Sequence, residues 1–329
     1  MVQDAKYNVY LINNSGRILW KKPLDGKILG TIQQIDYYRN NKLQYIFNTK
    51  NSIYLIDRNG NFVDKYPIKL PSQATNGLSV VDYENNKDYR IFVATADRRV
   101  RLFDKRGNKI TGWGFNRTEG VVKQPVKHFR SSSKDYIVFS DNYKIYILNR
   151  RGKVRVKPDK HIHASPNSNV YLEEKNTSRS RLVMASPDAE LIFIDLPSGK
   201  TKVMEVMKKT DQFGFSHFMQ KGNYGYVFVT PHEIMVFNGQ GKKIAGRTFK
   251  NEMNLTVDIY HFSAGNIKFG LHEKNSKHIY LLNSDCSVYK GFPLLGNSRF
   301  SIGFLKNSSS GFNLVVGGDN NYIYNYRVE

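Results

Sequence analysis

Short apolar runs rich in Ile, Val, Tyr and Phe alternate along this chain with polar stretches rich in Asn, Asp, Ser, Lys and Gly. The runs are too brief for helices, and their β-branched and aromatic side chains suit a pleated sheet, so each is read as a strand. SIYLIDR from Ser52, YRIFVAT from Tyr89 and KIYILNR from Lys144 are apolar almost throughout rather than strictly alternating. Such runs predict strands covered on both faces. None approaches the roughly 18 residues that a transmembrane helix needs; YGYVFV, Tyr224–Val229, is among the longest.

The strands recur in groups. RVRLFDKRGNKITGW, Arg99–Trp113, joins two strand-like stretches through a Lys-Arg-Gly turn, and IYLIDRNGNFVDKY from Ile53 and IYILNRRGKVRVKP from Ile145 repeat the design. The turn glycines Gly16, Gly60, Gly107, Gly152, Gly199 and Gly241, followed by Cys286 in the same slot, lie 42 to 47 residues apart. Glycine suits the slot because a short hairpin needs a positive φ at one central residue. Each period reads as four strands, A to D in chain order. In the second unit these are IQQIDYY, LQYIFNT, SIYLIDR and FVDKYPI; in the third, GLSVVDY, YRIFVAT, RVRLFDK and KITGWGF. Four short antiparallel strands every 40 to 50 residues are the mark of a β-propeller blade.

The units VATADRRVRLFDKRGNK and MASPDAELIFIDLPSGK resemble WD-repeat-like and YVTN-like blades, with turn aspartates at Asp97, Asp141, Asp188 and Asp319. GRILWKKPL, Gly16–Leu24, resembles the last strand of a quinoprotein-like repeat, while the Trp-Asp dipeptide of the WD family is absent. The resemblance implies an all-β, seven-bladed propeller of four-stranded antiparallel blades over residues 1–329 as one domain. YNVYLIN opens the chain as a C-like strand and NYIYNYR closes it as another. The seventh blade is therefore expected to be closed by N- and C-terminal strands together. Eight blades with two incomplete terminal ones are the nearest alternative. A start in mid-blade also suggests a piece of a larger protein.

Lys and Arg number 50 against 28 Asp and Glu, a formal net charge of +22. That excess suggests acidic partners. It is unevenly placed: A–B loops and C–D turns, which share one end of a blade, hold most of it, and B–C turns and D–A connections are close to neutral. Arg58, Lys105, Arg106, Lys109, Arg150, Arg151 and Lys153 come from the turns of adjacent units and are the candidate binding residues. A protein or an anionic glycan or lipid surface is the expected partner. Nucleic acid ranks lower because no aromatic residues interleave with these turns to stack bases.

Catalytic chemistry is thin. The single cysteine, Cys286, precludes an intramolecular disulfide and is expected to be an unperturbed surface or half-buried thiol. His161 and His163 form an H-x-H pair without a near third ligand, and DYENNKD, Asp82–Asp88, lacks the glycine and distal glutamate of a calcium loop. The turn aspartates read as turn caps, and Trp20 and Trp113 as blade-packing residues. Quinoprotein dehydrogenases carry a tryptophan motif in most blades, whereas the GxxxW spacing occurs clearly once here, at Gly16–Trp20. The expected function is thus a non-enzymatic, monomeric binding or scaffolding module without metal or cofactor. The alternative is a quinoprotein-type oxidoreductase, or another propeller with a ligand in its central channel. The opening MVQDAKYNVYLI has no signal-peptide pattern. Location is left open, with an extracytoplasmic bacterial setting favoured if the chain is an excised domain.

Overall fold

The computed structural model describes residues 1–176, 179–304 and 311–328. Its strands form eight antiparallel sheets of three or four strands, each a meander in chain order. Blade 1 holds Val2–Gln3, Asn8–Ile12 and Ile18–Pro23, and blade 2 holds Leu29–Ile35, Gln44–Asn48, Ser52–Ile56 and Ile68–Lys69. Blade 3 is Ser79–Val81, Arg90–Thr95 and Arg99–Asp104; blade 4 is Lys127–Ser131, Lys134–Ser140, Ile145–Leu148 and Val154–Val156. The fifth and sixth sheets run from Tyr171 to Met204 and from Gly214 to Thr248. The seventh spans Asp258 to Leu295, and blade 8 comprises Phe300–Gly303, Phe312–Gly317 and Ile323–Val328. Among the described residues there is no helix, and so none long and apolar enough to cross a membrane.

The chain is thus an all-β propeller of eight blades, which corrects the expectation of seven with one blade shared by the two termini. The reason lies in the first ten residues. The Asp4 carboxylate accepts hydrogen bonds from the Lys6 and Asn8 amides and from the Tyr10 hydroxyl at 2.7 to 2.9 Å, and Tyr7 takes φ +63°. This Asx turn folds Val2–Gln3 back onto Tyr10 and Val9, giving the N-terminal hairpin a local third strand. A two-residue strand is too short for periodicity to reveal. The expected four-strand blade also fails in blade 3, where KITGWGF makes no ladder beyond the bridge from Lys109 to Phe103. Glycines flank Trp113, whose ring folds back to donate from Nε1 to the Val100 carbonyl at 2.8 Å and packs edge-on against Phe92.

The chain divides into two compact units. The first is Met1–Pro166 with Glu174–Leu182 and Ile194–Thr201. The second is Asn167–Glu173, Val183–Phe193 and Lys202–Glu329. In both, apolar clusters lie between consecutive blades. In the first unit, Phe92, Ala94 and Leu102 of blade 3 pack with Ile137, Phe139 and Leu148 of blade 4. In the second, Val227, Ile234 and Val236 of blade 6 meet Phe269, Leu271 and Leu282 of blade 7. The continuous apolar runs are explained by this sandwiching: Ser52–Ile56 and Ile145–Leu148 are buried at every residue. Outer strands such as Val154–Val156 and Lys243–Thr248 remain largely exposed.

Candidate basic interface

Every candidate cation sits on a C–D turn or beside one, and these turns share one geometry. In blade 3 the Asp104 amide bonds to the Asn108 carbonyl and the Gly107 amide to the Asp104 carbonyl, both at 2.9 Å. The Asp104 carboxylate then accepts from the Arg106 and Asn108 amides at 2.9 and 2.8 Å. Asp57 and Asn149 do the same in blades 2 and 4, so an Asx side chain at the first turn position fixes the loop that follows. The turn glycines have φ of +75° to +86° in blades 2 to 4.

Positive φ is half of their role. The stretch that ends the preceding blade lies directly on each turn. Trp20 Nε1 donates to the Arg58 carbonyl at 3.0 Å, the Tyr66 hydroxyl to the Lys105 carbonyl at 2.9 Å, and the Gly114 amide to the Arg151 carbonyl at 2.9 Å. A Cβ on Gly60 would lie 2.7 Å from Trp20 Cγ, and one on Gly152 would lie 2.6 Å from the Phe115 nitrogen. The basic turns are therefore held from behind, blade by blade.

The candidate residues divide into two classes. Arg58, Arg106, Lys109, Arg151 and Lys153 are exposed. Lys105 and Arg150, which occupy the same turn position, are committed to the fold. Lys105 Nζ donates to the Tyr37 carbonyl at 2.8 Å and lies 5.4 Å from the centre of the Tyr37 ring. Burial lowers the pKa of its ammonium group. The Arg150 guanidinium lies 4.4 Å from the centre of the Tyr83 ring. It forms ion pairs with Glu84 at 2.5 Å and Asp135 at 2.6 Å. Tyr37 and Tyr83 are themselves equivalent, in the loops IDYYRNNK and VDYENNKD. Asp36 accepts from the Asn40 and Asn41 amides, and Asp82 from the Asn86 and Lys87 amides. The Asp82 loop is thus a closed backbone cap whose carboxylate is spent on its own amides. The repeat of Asp-Tyr at the end of strand A was the signal in the sequence for this clasp, and the charge pattern drew attention away from it.

Two polar clefts open at this end of the first unit. One, of about 440 Å³, brings Arg150 and Arg151 together with Arg130, Ser133 and Arg155. The other, of about 400 Å³, places Lys105 and Arg106 beside Tyr37, Tyr38 and Arg39. Arg58, Lys109 and Lys153 lie outside both. Neither Arg130 nor Arg155 stands in a turn, which is why the turn-centred charge pattern did not single them out.

The remaining candidates resolve individually. Asp141 caps its turn, accepting from the Tyr143 and Lys144 amides, and also holds the Gly120 amide at 2.7 Å and the Tyr146 hydroxyl at 2.8 Å. Asp97 pairs with Arg101 at 2.6 Å and Asp319 with Lys277 at 2.8 Å. His161 and His163 stack edge-on at 4.6 Å, and among the described residues no group of three or more His, Cys, Asp or Glu is placed to hold a metal ion. Cys286 does occupy the glycine slot, with φ +65°, but its thiol is buried and not the unperturbed group expected. Burial pushes its pKa up to about 12. Trp20 and Trp113 both pack against core clusters.

No family model matches the sequence, and no curated protein is similar to it. Among solved structures, the chain is similar to BBS1N in two crystals with ARL6DN, soaked with mercury or lead, at a TM-score of 0.61 and 9 to 10% identity. Those likenesses cover 92% of this chain and 93% of BBS1N. It is also similar to the dihydro-heme d1 dehydrogenase NirN in complex with DHE, at a TM-score of 0.68 and 13% identity over 100% of this chain and 70% of that one. At such identities the likeness is one of fold, and the fold it shows is the β-propeller.

Proposed function

We propose that the chain is a non-catalytic docking module that holds an acidic protein partner at the A–B and C–D end of blades 2 to 4. The observation that carries this reading is the set of exposed cations Arg58, Arg106, Lys109, Arg151 and Lys153 on successive turns, each turn braced by the preceding blade. Exposed charges on a preordered frame lose little side-chain freedom on binding, and their field steers an acidic partner onto that end. The crystallised complex of BBS1N with ARL6DN supports the use of this fold for a protein partner.

Retention on immobilised poly-glutamate tests the reading. Reversing Arg106, Arg151 and Lys153 to Glu is expected to lower the salt concentration at elution sharply. The same change at Lys27, Lys50 and Lys123, exposed on connections and B–C turns of the first unit, is expected to leave it nearly unchanged. Equal loss from both triple variants would mean that net charge alone is at work and would overturn the assignment.

A further inference from the structure

We infer that the cleft between the A–B loop of blade 3 and the C–D turn of blade 4 binds a phosphomonoester group, presented as a phosphorylated side chain of the docked protein. The inference deepens the docking reading, since it names the chemical group that the partner carries into this cleft.

Arg130, Arg150, Arg151 and Arg155 line the cleft, with Glu84 and Asp135 as the acidic residues among its lining. Arg150 is matched to both carboxylates, at 2.5 and 2.6 Å. Arg130 donates to the Tyr83 carbonyl at 3.0 Å and approaches Glu84 at 3.8 Å. Arg151 and Arg155 have no carboxylate partner among the described residues, and Arg155 lies 5.6 Å from the centre of the Tyr136 ring. Four guanidinium groups against two carboxylates leave two positive charges over.

That surplus selects among anions. A phosphomonoester carries about −1.5 to −2 charges at neutral pH and three acceptor oxygens, so it matches the surplus. A carboxylate or a sulfate ester brings one charge and would leave the cleft positive. Guanidinium forks suit phosphate oxygens because their N–H groups bond in pairs and in one plane. The Ser133 hydroxyl at the rim supplies a further donor. At about 440 Å³ the cleft has room for the phosphoryl group and the side chain that bears it.

The scaffold supports the same conclusion. Arg150 is clamped between Tyr83 and two carboxylates, so one wall of the cleft is rigid before any ligand arrives. The Arg151 backbone is fixed through its carbonyl by the Gly114 amide, and its side chain is exposed. Glutamine at Arg151 and Arg155 therefore removes donors without removing a structural contact of the Arg150 kind.

The experiment uses the full chain and a fluorescent peptide of acidic composition in three forms, with Ser, phosphoserine or Glu at its centre, read by polarisation at fixed ionic strength. The phosphoserine form is expected to bind about tenfold or more tightly than the Glu form, the scale of one or two charge-assisted hydrogen bonds. Arg151→Gln with Arg155→Gln is expected to abolish that preference, while Arg58→Gln with Lys109→Gln, outside the cleft, keeps it. Circular dichroism and the urea midpoint confirm that both double variants remain folded. Equal affinity for the phosphoserine and Glu peptides, or a preference that survives Arg151→Gln with Arg155→Gln, would overturn the phosphate site and leave the docking end standing. A phosphoserine preference lost in the cleft variant, alongside unchanged poly-glutamate retention in the Arg106, Arg151 and Lys153 reversal, would uphold the cleft and overturn the broader docking surface. Inorganic sulfate displacing the peptide as well as inorganic phosphate does would show that any tetrahedral dianion suffices and would also count against a phosphomonoester site.

Discussion

Replacing Gly152 by Ala separates the two demands made on the turn glycine of blade 4. The residue has φ +75°, and an added Cβ would stand 2.6 Å from the Phe115 nitrogen, 3.0 Å from Phe115 Cβ and 3.1 Å from Trp113 Cε3. The first contact is with backbone, so no rotamer change relieves it. Gly16 is the natural control, with φ +79° and nothing within 4 Å of the added atom. A left-handed conformation costs an L-residue about 1–2 kcal/mol, and forcing a carbon into a filled contact costs about 1–3 kcal/mol. Gly16→Ala is thus expected to lose about 1–2 kcal/mol and Gly152→Ala about 2–5 kcal/mol. Asn sharpens the comparison, because it tolerates positive φ but still carries the Cβ. Gly16→Asn should be close to neutral and Gly152→Asn should not. Urea denaturation in a Trp20→Phe background, with Trp113 as the remaining tryptophan, reports the blade 3–blade 4 contact directly. Equal destabilisation at the two glycines would refute the view that the preceding blade braces each basic turn.

Other outcomes follow from single contacts. The Tyr83 hydroxyl is buried without a hydrogen-bond partner, so Tyr83→Phe should leave the urea midpoint unchanged or raise it. Tyr37→Phe should lower stability by about 1 kcal/mol by removing the 2.8 Å bond to Asp64; loss in the first variant or none in the second would contradict the contacts. Arg150→Glu places a third carboxylate beside Glu84 and Asp135 and should cost about 1–3 kcal/mol, whereas Arg151→Glu should change stability little, as thermal unfolding can check. The Lys87 ammonium, at 2.6 Å, holds the Asp36 carboxyl down at about 2, below its ordinary value near 4. Its contribution is therefore complete above about pH 4 and fades as pH falls towards 2, so the stability gap between wild type and Lys87→Gln should narrow on acidification. The Cys286 thiol, with its pKa at about 12, should not react with a disulfide reagent at pH 8 in the native protein and should yield one equivalent once unfolded.

The sequence by itself determined the repeat, and physics explains why. Strand, Asx residue and positive-φ glycine interact within a few residues, so Asp57, Asp104 and Asn149 announce their turns locally, as does Cys286 in the glycine slot. Apolar runs such as Ser52–Ile56 likewise declare burial on both faces, because every residue in them must be sheltered. The concentration of charge at one end was legible for the same reason, since it rides on loops whose order along a meander is fixed. The blade count was not legible: Val2–Gln3 is a strand only because Asp4 organises the turn behind it. Nor was the missing ladder of blade 3, which depends on where the Trp113 ring finds its cavity. Tertiary structure alone decided which cations are free. Lys105 and Arg150 read like their exposed neighbours, and became structural only when the next loop brought Tyr37 and Tyr83 beneath them. Arg130 and Arg155, distant from the turns in sequence, joined Arg151 because adjacent strands of an antiparallel sheet bring such positions to one cleft.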